Sequence, residues 1–229
     1  MGRFSTRLAP VFADFAGVEP GMRSLDVGAG TGALTAELVR RGGEVAAAEP
    51  SAEFAAALRS RFSGLDVRQT GAEELPWPDN SFDVALAQLV VAFMSDAAAG
   101  VREMQRVAGT VAVCMWDREG MEMLVAIDRT RDALGVSRWD SPYRSREEIE
   151  RLIGDGAESE LLEVDADYVD FEDFWSALAG GVGPAGLWVV ALDDEQRATA
   201  RAELFRQLGE PEGPFTLTGR AWAAKATRA

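Results

Sequence analysis

Between residues 24 and 115 the chain alternates short apolar runs with segments of helical spacing, and no other feature constrains its fold as tightly. Residues 24–28 (SLDVG) form an apolar run closed by glycine, the pattern of a buried strand. Residues 31–41 carry Leu34 and Leu38 at helical spacing and stop at Gly42-Gly43. A second strand is predicted over 44–48, and Ser51 is placed to cap a helix running to about residue 62. Residues 65–69 form a third strand, and a turn at 76–80 leads into a fourth over 82–87. A helix over 95–107 and a fifth strand over 110–115 complete the series. Parallel strands need crossover connections, usually helices. Strict alternation therefore predicts an α/β, doubly wound, mainly parallel sheet with helices on both faces.

Beyond Trp116 the rhythm changes. Residues 118–140 are expected to be an amphipathic helix with Met121, Leu124, Val125 and Ile127 on one side. A second helix over 145–153 opens with an S-x-x-E pattern, predicting a capping box between Ser145 and Glu148. Residues 161–169 alternate as a strand, 193–208 form a strong helix, and 214–225 form the last strand. Between them, 171–190 set Phe171, Phe174, Trp175, Leu178 and Trp188 around a glycine-rich GGVGPAG turn. There is no internal repeat or low-complexity linker, so residues 1–229 are expected to be one domain. Within it, 118–145 and 171–210 would form a small helical cap facing the substrate.

Composition narrows the chemistry. The chain has no histidine and a single cysteine, Cys114. That excludes Ser-His-Asp and Cys-His nucleophilic systems, internal disulfides and imidazole metal sites, so no metal is expected. With 23 Lys+Arg against 38 Asp+Glu, the net charge is −15, which argues against nucleic-acid partners. No segment reaches the roughly 18 apolar residues of a membrane span, and the first residues lack a signal-peptide core. The expectation is a cytoplasmic protein with no membrane partner and a small-molecule substrate.

What remains is chemistry by carboxylates, hydroxyls, backbone amides or an organic cofactor, and residues 25–32 (LDVGAGTG) are where a cofactor would bind. Glycines let backbone approach a ligand closely, and the following helix offers unpaired N–H groups. Gly28-x-Gly30-x-x-Ala33 also satisfies the dinucleotide pattern. Asp26 discriminates: beside a pyrophosphate it would repel, whereas beside an ammonium and a sulfonium it would attract. Gly32 supplies a third glycine, and Glu49 ends the second strand where it could accept the hydroxyls of a ribose. Asp26 favours S-adenosylmethionine over a nicotinamide cofactor.

At this point the chain resembles the class I S-adenosylmethionine-dependent methyltransferases. LDVGAGTG is similar to their first motif, AEP at 48–50 to the acidic end of their second strand, and GAEELPWPDNSFDVALAQLVVAFM at 71–94 to the stretch through their fourth strand. The likeness is to the small-molecule, ubiquinone-biosynthesis-like branch (type 11), and to a bacterial subgroup within it that shares segments 7–18, 102–117, 170–186 and 213–226. It implies a Rossmann-like sheet with a final antiparallel strand. It also implies that Asp26, Gly28, Gly30 and Gly32 hold the methionine part, with Ala29 contributing backbone. Glu49, followed by Pro50, would hold the ribose. Ala72 and Glu73 would border the adenine, and Gln88 and Leu89 would face the amino-acid portion and the methyl group. The chain departs from the family at Ala29, where cysteine is common, at Ala92, where histidine is common, and at 107–110, a shortened form of the usual R-P-G-G turn.

The resulting expectation is in-line methyl transfer from S-adenosylmethionine to a small apolar or aromatic acceptor. Trp116-Asp117, at the end of the fifth strand, would face that acceptor, with Asp117 as the candidate base. Most other aromatic residues are expected to be core, Cys114 a buried filler, and Asp83 a residue that orders its turn. Two alternatives stand: an S-adenosylmethionine-binding module that transfers nothing, favoured by Ala92, and a nicotinamide-dependent oxidoreductase, disfavoured by Asp26.

Overall fold

The computed structural model describes residues 2–137, 141–181 and 183–228. Seven strands form one sheet in the order β3-β2-β1-β4-β5-β7-β6. They are β1 (Arg23–Val27), β2 (Glu44–Ala48), β3 (Asp66–Arg68), β4 (Phe82–Gln88), β5 (Ala108–Met121), β6 (Glu158–Tyr168) and β7 (Phe215–Thr227). The first five run parallel, and β7 lies antiparallel between β5 and β6. β1 is buried from Ser24 to Val27, as a central parallel strand covered on both faces must be. Its neighbours are β2 on one side and β4 on the other. Strand order therefore reverses at the carboxyl end of β1, which is where doubly wound sheets open a ligand crevice.

The crossover helices α2 (Ala33–Arg40), α3 (Ala52–Arg61) and α4 (Ala97–Val107) follow the sequence pattern closely. Ser51 caps α3 by accepting from the Phe54 N–H. One face of the sheet packs against α1 (Gly2–Phe15), a helix for which the sequence carried no expectation. Phe4, Leu8 and Phe12, spaced four apart, are fully buried and make its core stripe, and Pro10 lies inside it. The opposite face packs against α4 and α6 (Arg146–Ile153). The expected turn-ordering role of Asp83 is visible: it accepts from both the backbone and the guanidinium of Arg23 at 2.8 Å, tying the starts of β4 and β1.

Two local expectations need correction. The helix predicted over 118–140 starts only at Glu122, because β5 continues to Met121, opposite Gly219 of β7. The register shifts between Trp116 and Met121, so the extension passes through an irregularity. Helix α5 is Glu122–Ala133; residues 138–140 of that prediction, like Val182 in the glycine-rich turn, lie outside the described residues. At α6, Ser145 accepts from the Glu148 N–H, but the Glu148 carboxylate accepts from the N–H of Arg144. The box is therefore half formed. A reciprocal box exists instead at α9 (Asp194–Gln207), between Asp193 and Gln196.

Helices α7 (Phe171–Ala179), α8 (Gly183–Ala191) and α9 contribute Phe171, Phe174, Trp175, Ala185, Val189 and Leu204 to the same core cluster as α1 and β5. Among the described residues no single helix is long and apolar enough to cross a membrane.

Candidate active site

The loop after β1 is shaped by its neighbours as much as by any ligand. Gly28 has φ +72°, and a Cβ there would lie 2.8 Å from Val90 Cγ2, so glycine is required by conformation and by space. The N–H groups of Gly28 and Ala29 both donate to Ala48 O, at 2.8 and 3.2 Å, binding the loop to the end of β2. Gly32, at the start of α2, has φ +82°, and a Cβ there would strike Leu58 and Phe62 of the α3 region at 2.8 Å. Its observed neighbours make it a residue that lets two helical segments approach.

Glu49 is buried at the end of β2, and its carboxylate organises the cleft. One oxygen accepts from Gly30 N–H at 2.8 Å and the other from Ser51 N–H at 2.9 Å. A carboxylate has about four acceptor positions, so one on each oxygen is left for a pair of hydroxyls. Asp26 sits behind the loop, fully buried, and accepts from the Thr35 hydroxyl at 2.6 Å. Burial pushes its carboxyl up to about 7 and the nearby Glu49 adds to this, while the hydrogen bonds from Thr35 oppose it.

A cleft of about 400 Å³ opens in front of this loop, within the usual range for small-molecule sites. Gly28, Gly30, Glu49, Pro50, Ala72 and Glu73 all line it, so six of the expected cofactor residues converge. Burial works against the charge of Glu73, but hydrogen bonds from Asp96 N–H and the Ser95 hydroxyl outweigh it and lower its pKa. Asp26, Ala29 and Gly32 are not among the lining residues. Phe54, Val90, Phe93 and Met94, which the sequence did not single out, are.

Beside the cleft lies a second cavity of about 230 Å³ with mostly apolar walls. Leu89, Ala92 and Phe93 come from the turn after β4, Met115 and Trp116 from β5, Leu124 and Asp128 from α5, and Pro184 and Ala185 from α8. Ser141, Pro142 and Arg144 complete it. Leu89, which lines the apolar cavity and not the cleft, has φ +62°, the left-handed region that a branched side chain rarely occupies. Gln88 turns its amide toward α1, donating to Ser5 O at 3.0 Å, while its Oε1 is buried without a hydrogen-bond partner. Trp116 packs edge-on against Phe4. Asp117 is engaged by β7 instead: Trp222 Nε1 donates to it at 3.0 Å, and it lines neither space. Among the described residues, the acidic one that lines the apolar cavity is Asp128, which sequence reasoning missed together with Arg144.

Residues 25–115, the stretch that builds both the cleft and much of the cavity, match the family described as methyltransferase domain. Over those residues the chain is similar to the class I methyltransferases of the type 11 branch. An uncharacterized protein of Mycobacterium tuberculosis is 30% identical over 159 residues, which cover 65% of this chain and 58% of that one. A ubiquinone/menaquinone biosynthesis C-methyltransferase of Stenotrophomonas maltophilia is 40% identical over 99 residues, 39% of each chain. A proposed type II methyltransferase from Anaeromyxobacter dehalogenans shares the fold over 97% of this chain and 95% of its own, with TM-score 0.66 and 22% identity. The chain thus spans 58% of the length of its mycobacterial relative.

A methyltransferase domain implies S-adenosylmethionine as cofactor, and the residues present fit it. The Gly28 position admits no Cβ, Glu49 keeps acceptor capacity on both oxygens, and Gln88 Oε1 is a buried acceptor lacking a donor. A ribose would supply partners for Glu49, whereas Gln88 lines neither the cleft nor the apolar cavity.

Proposed function

We propose that this methyltransferase moves a methyl group from S-adenosylmethionine to a small, largely apolar acceptor held in the second cavity. One observation carries the reading: Phe93 lines both the glycine-loop cleft and the apolar cavity, so donor and acceptor would meet across one side chain. In this reading Gly28, Gly30 and the backbone of Ala29 cradle the methionine part, with Asp26 and Gly32 shaping the loop from behind. Glu49 and Pro50 hold the ribose, and Ala72 and Glu73 border the base.

The cofactor supplies an already electrophilic methyl group, so the protein needs no covalent nucleophile. The task left to the chain is alignment for in-line displacement in a dry pocket, worth roughly 7–11 kcal/mol of the barrier. Leu89, Ala92, Met115 and Trp116 exclude water from one side of the cavity, and α8 does so from the other. Where an acceptor must lose a proton, Asp128 takes the role expected of Asp117, because it lines the cavity and Asp117 does not. The elements α5, α8 and residues 141–144 then serve as acceptor-binding parts of a single domain.

The test is direct. S-adenosylmethionine and S-adenosylhomocysteine should each bind in calorimetry and raise the Tm, and methyl donor should be consumed with a member of an aromatic acceptor panel. No binding at saturating ligand would remove the reading. Binding without consumption across the panel would leave the cofactor-binding module as the better account.

A further inference from the structure

Residues 141–144 bring charge to the wall of a mostly apolar cavity, and in-line displacement by itself gives that charge no role. Pro142 and Arg144 line the cavity, with Ser141 adding a hydroxyl, while Tyr143 packs against the core cluster of the α4 and α6 face. Arg144 is only 6% exposed, so a cation is almost wholly withdrawn from solvent beside an apolar space. Its position is set from α6: its backbone N–H donates to the Glu148 carboxylate at 3.0 Å, and Ser145 caps the same turn by accepting from Glu148 N–H. The half-formed capping box thus turns its acidic residue to holding Arg144 in place. Among the described residues Arg144 is the cationic side chain lining the cavity and Asp128 the anionic one. Asp128 faces a cation on its own helix: burial lowers the pKa of Arg131, and the nearby Asp128 opposes that.

We infer that Arg144 anchors a carboxylate carried by the methyl acceptor, so that the acceptor class is a compact carboxylic acid with an apolar body. This rests on the methyl-transfer reading above for the use of the cavity, and adds the group by which the acceptor is recognised. A guanidinium presents its donors in a planar fork that matches a carboxylate, and its weak hydration suits a site walled from water. One cation suits one negative charge; a phosphate would bring a second, which Asp128 on the same cavity would oppose. At about 230 Å³ the cavity exceeds the roughly 150 Å³ that holds a benzene ring, leaving room for a carboxylate and little more. The chain carries a net charge of −15, so an unanchored carboxylate would be repelled on approach and would lose its hydration on entry. The sign of the preference between an anion and its neutral isostere therefore reports on Arg144.

Benzoate, benzamide and nitrobenzene share a shape and differ in charge, and their binding is read by calorimetry with and without S-adenosylhomocysteine. A hydrogen-bonded charge pair should make benzoate bind at least about tenfold tighter than either neutral probe. In Arg144→Gln the order should reverse, because desolvation and repulsion of the anion remain without the anchor. Arg144→Lys keeps the charge and loses the fork, so benzoate should stay ahead by a smaller margin. Affinity for S-adenosylhomocysteine should be unchanged in both variants, since Arg144 does not line the cofactor cleft, and it reports that they are folded. Wild-type protein that binds benzoate no better than the neutral probes, or not at all, would overturn the proposal, and that comparison needs no variant. A benzoate preference that survives in Arg144→Gln would also overturn it, by giving the anion to another site. Failure of S-adenosylhomocysteine to bind the wild type refutes the methyl-transfer reading separately, because the probe series is also measured without it.

Discussion

Replacing Asp26 by asparagine should make the protein more stable at alkaline pH than the wild type, and the margin can be worked from the structure. The side chain is fully buried, and asparagine can still accept the Thr35 hydroxyl now bonded to Oδ2. The wild-type carboxyl, pushed up by burial, holds its proton to about pH 7, whereas in the unfolded chain it ionises near its ordinary 3.8. Between those values the folded state binds more protons. Stability therefore falls as pH rises from about 4 to about 7, and is flat above. At 1.36 kcal/mol per pKa unit the full effect is about 4 kcal/mol. The net charge of −15 at pH 7 shrinks as carboxylates protonate, which makes the acid end prone to precipitation. A practical window from pH 5.5 to 8 captures about 2 kcal/mol, or about 4–8 °C in Tm for a chain of this size. Thermal melts of Asp26→Asn and wild type across that window should diverge by this amount, the variant gaining with pH. Parallel curves would refute the assignment of a neutral buried carboxyl.

Gly28→Ala should lower stability by about 2–5 kcal/mol, combining the left-handed backbone with overpacking against Val90, and should also weaken S-adenosylhomocysteine binding; a Tm within about 2 °C of wild type would contradict this. Glu49→Ala removes the acceptor shared by Gly30 and Ser51, so calorimetry should show cofactor affinity at least about tenfold weaker, the loss expected for a charged hydrogen-bond partner. Cys114 is buried, and burial raises its thiol well above the usual range. Thiol titration with an aromatic disulfide reagent should therefore find it inert in the folded protein and reactive in denaturant. Arg106 donates to Leu75 O, Trp77 O, Asp79 and Glu103, so Arg106→Ala should cost about 1–3 kcal/mol in a urea melt.

Some of this architecture is legible without coordinates because its signals are local. β1, β2 and β4 are covered on both faces, which favours short, mostly apolar runs, and their crossover helices carry their own spacing and caps. α1 is not legible in that way: its Phe4-Leu8-Phe12 stripe is interrupted by Pro10 and precedes any strand. The end of β5 is harder still. Residues 116–121 (WDREGM) are too polar to suggest a strand, and only pairing with β7, a hundred residues later, extends it. Period-two alternation puts Met115 and Trp116 on opposite faces, yet both line the cavity, so which strand-end residues meet it depends on where α5 and α8 pack.

The sequence by itself determined the alternation that makes a parallel sheet, the glycine loop at the end of β1, and the acidic residue at the end of β2. These follow from backbone conformation and burial within a few neighbouring residues. Only the tertiary structure decided that Phe93 borders both spaces, that Asp128 rather than Asp117 lines the apolar cavity, and that Asp26 is buried behind the loop. Each of those facts is a contact between segments far apart in the chain. Their energies depend on which apolar surfaces exclude water together, and that is settled only when the whole chain packs.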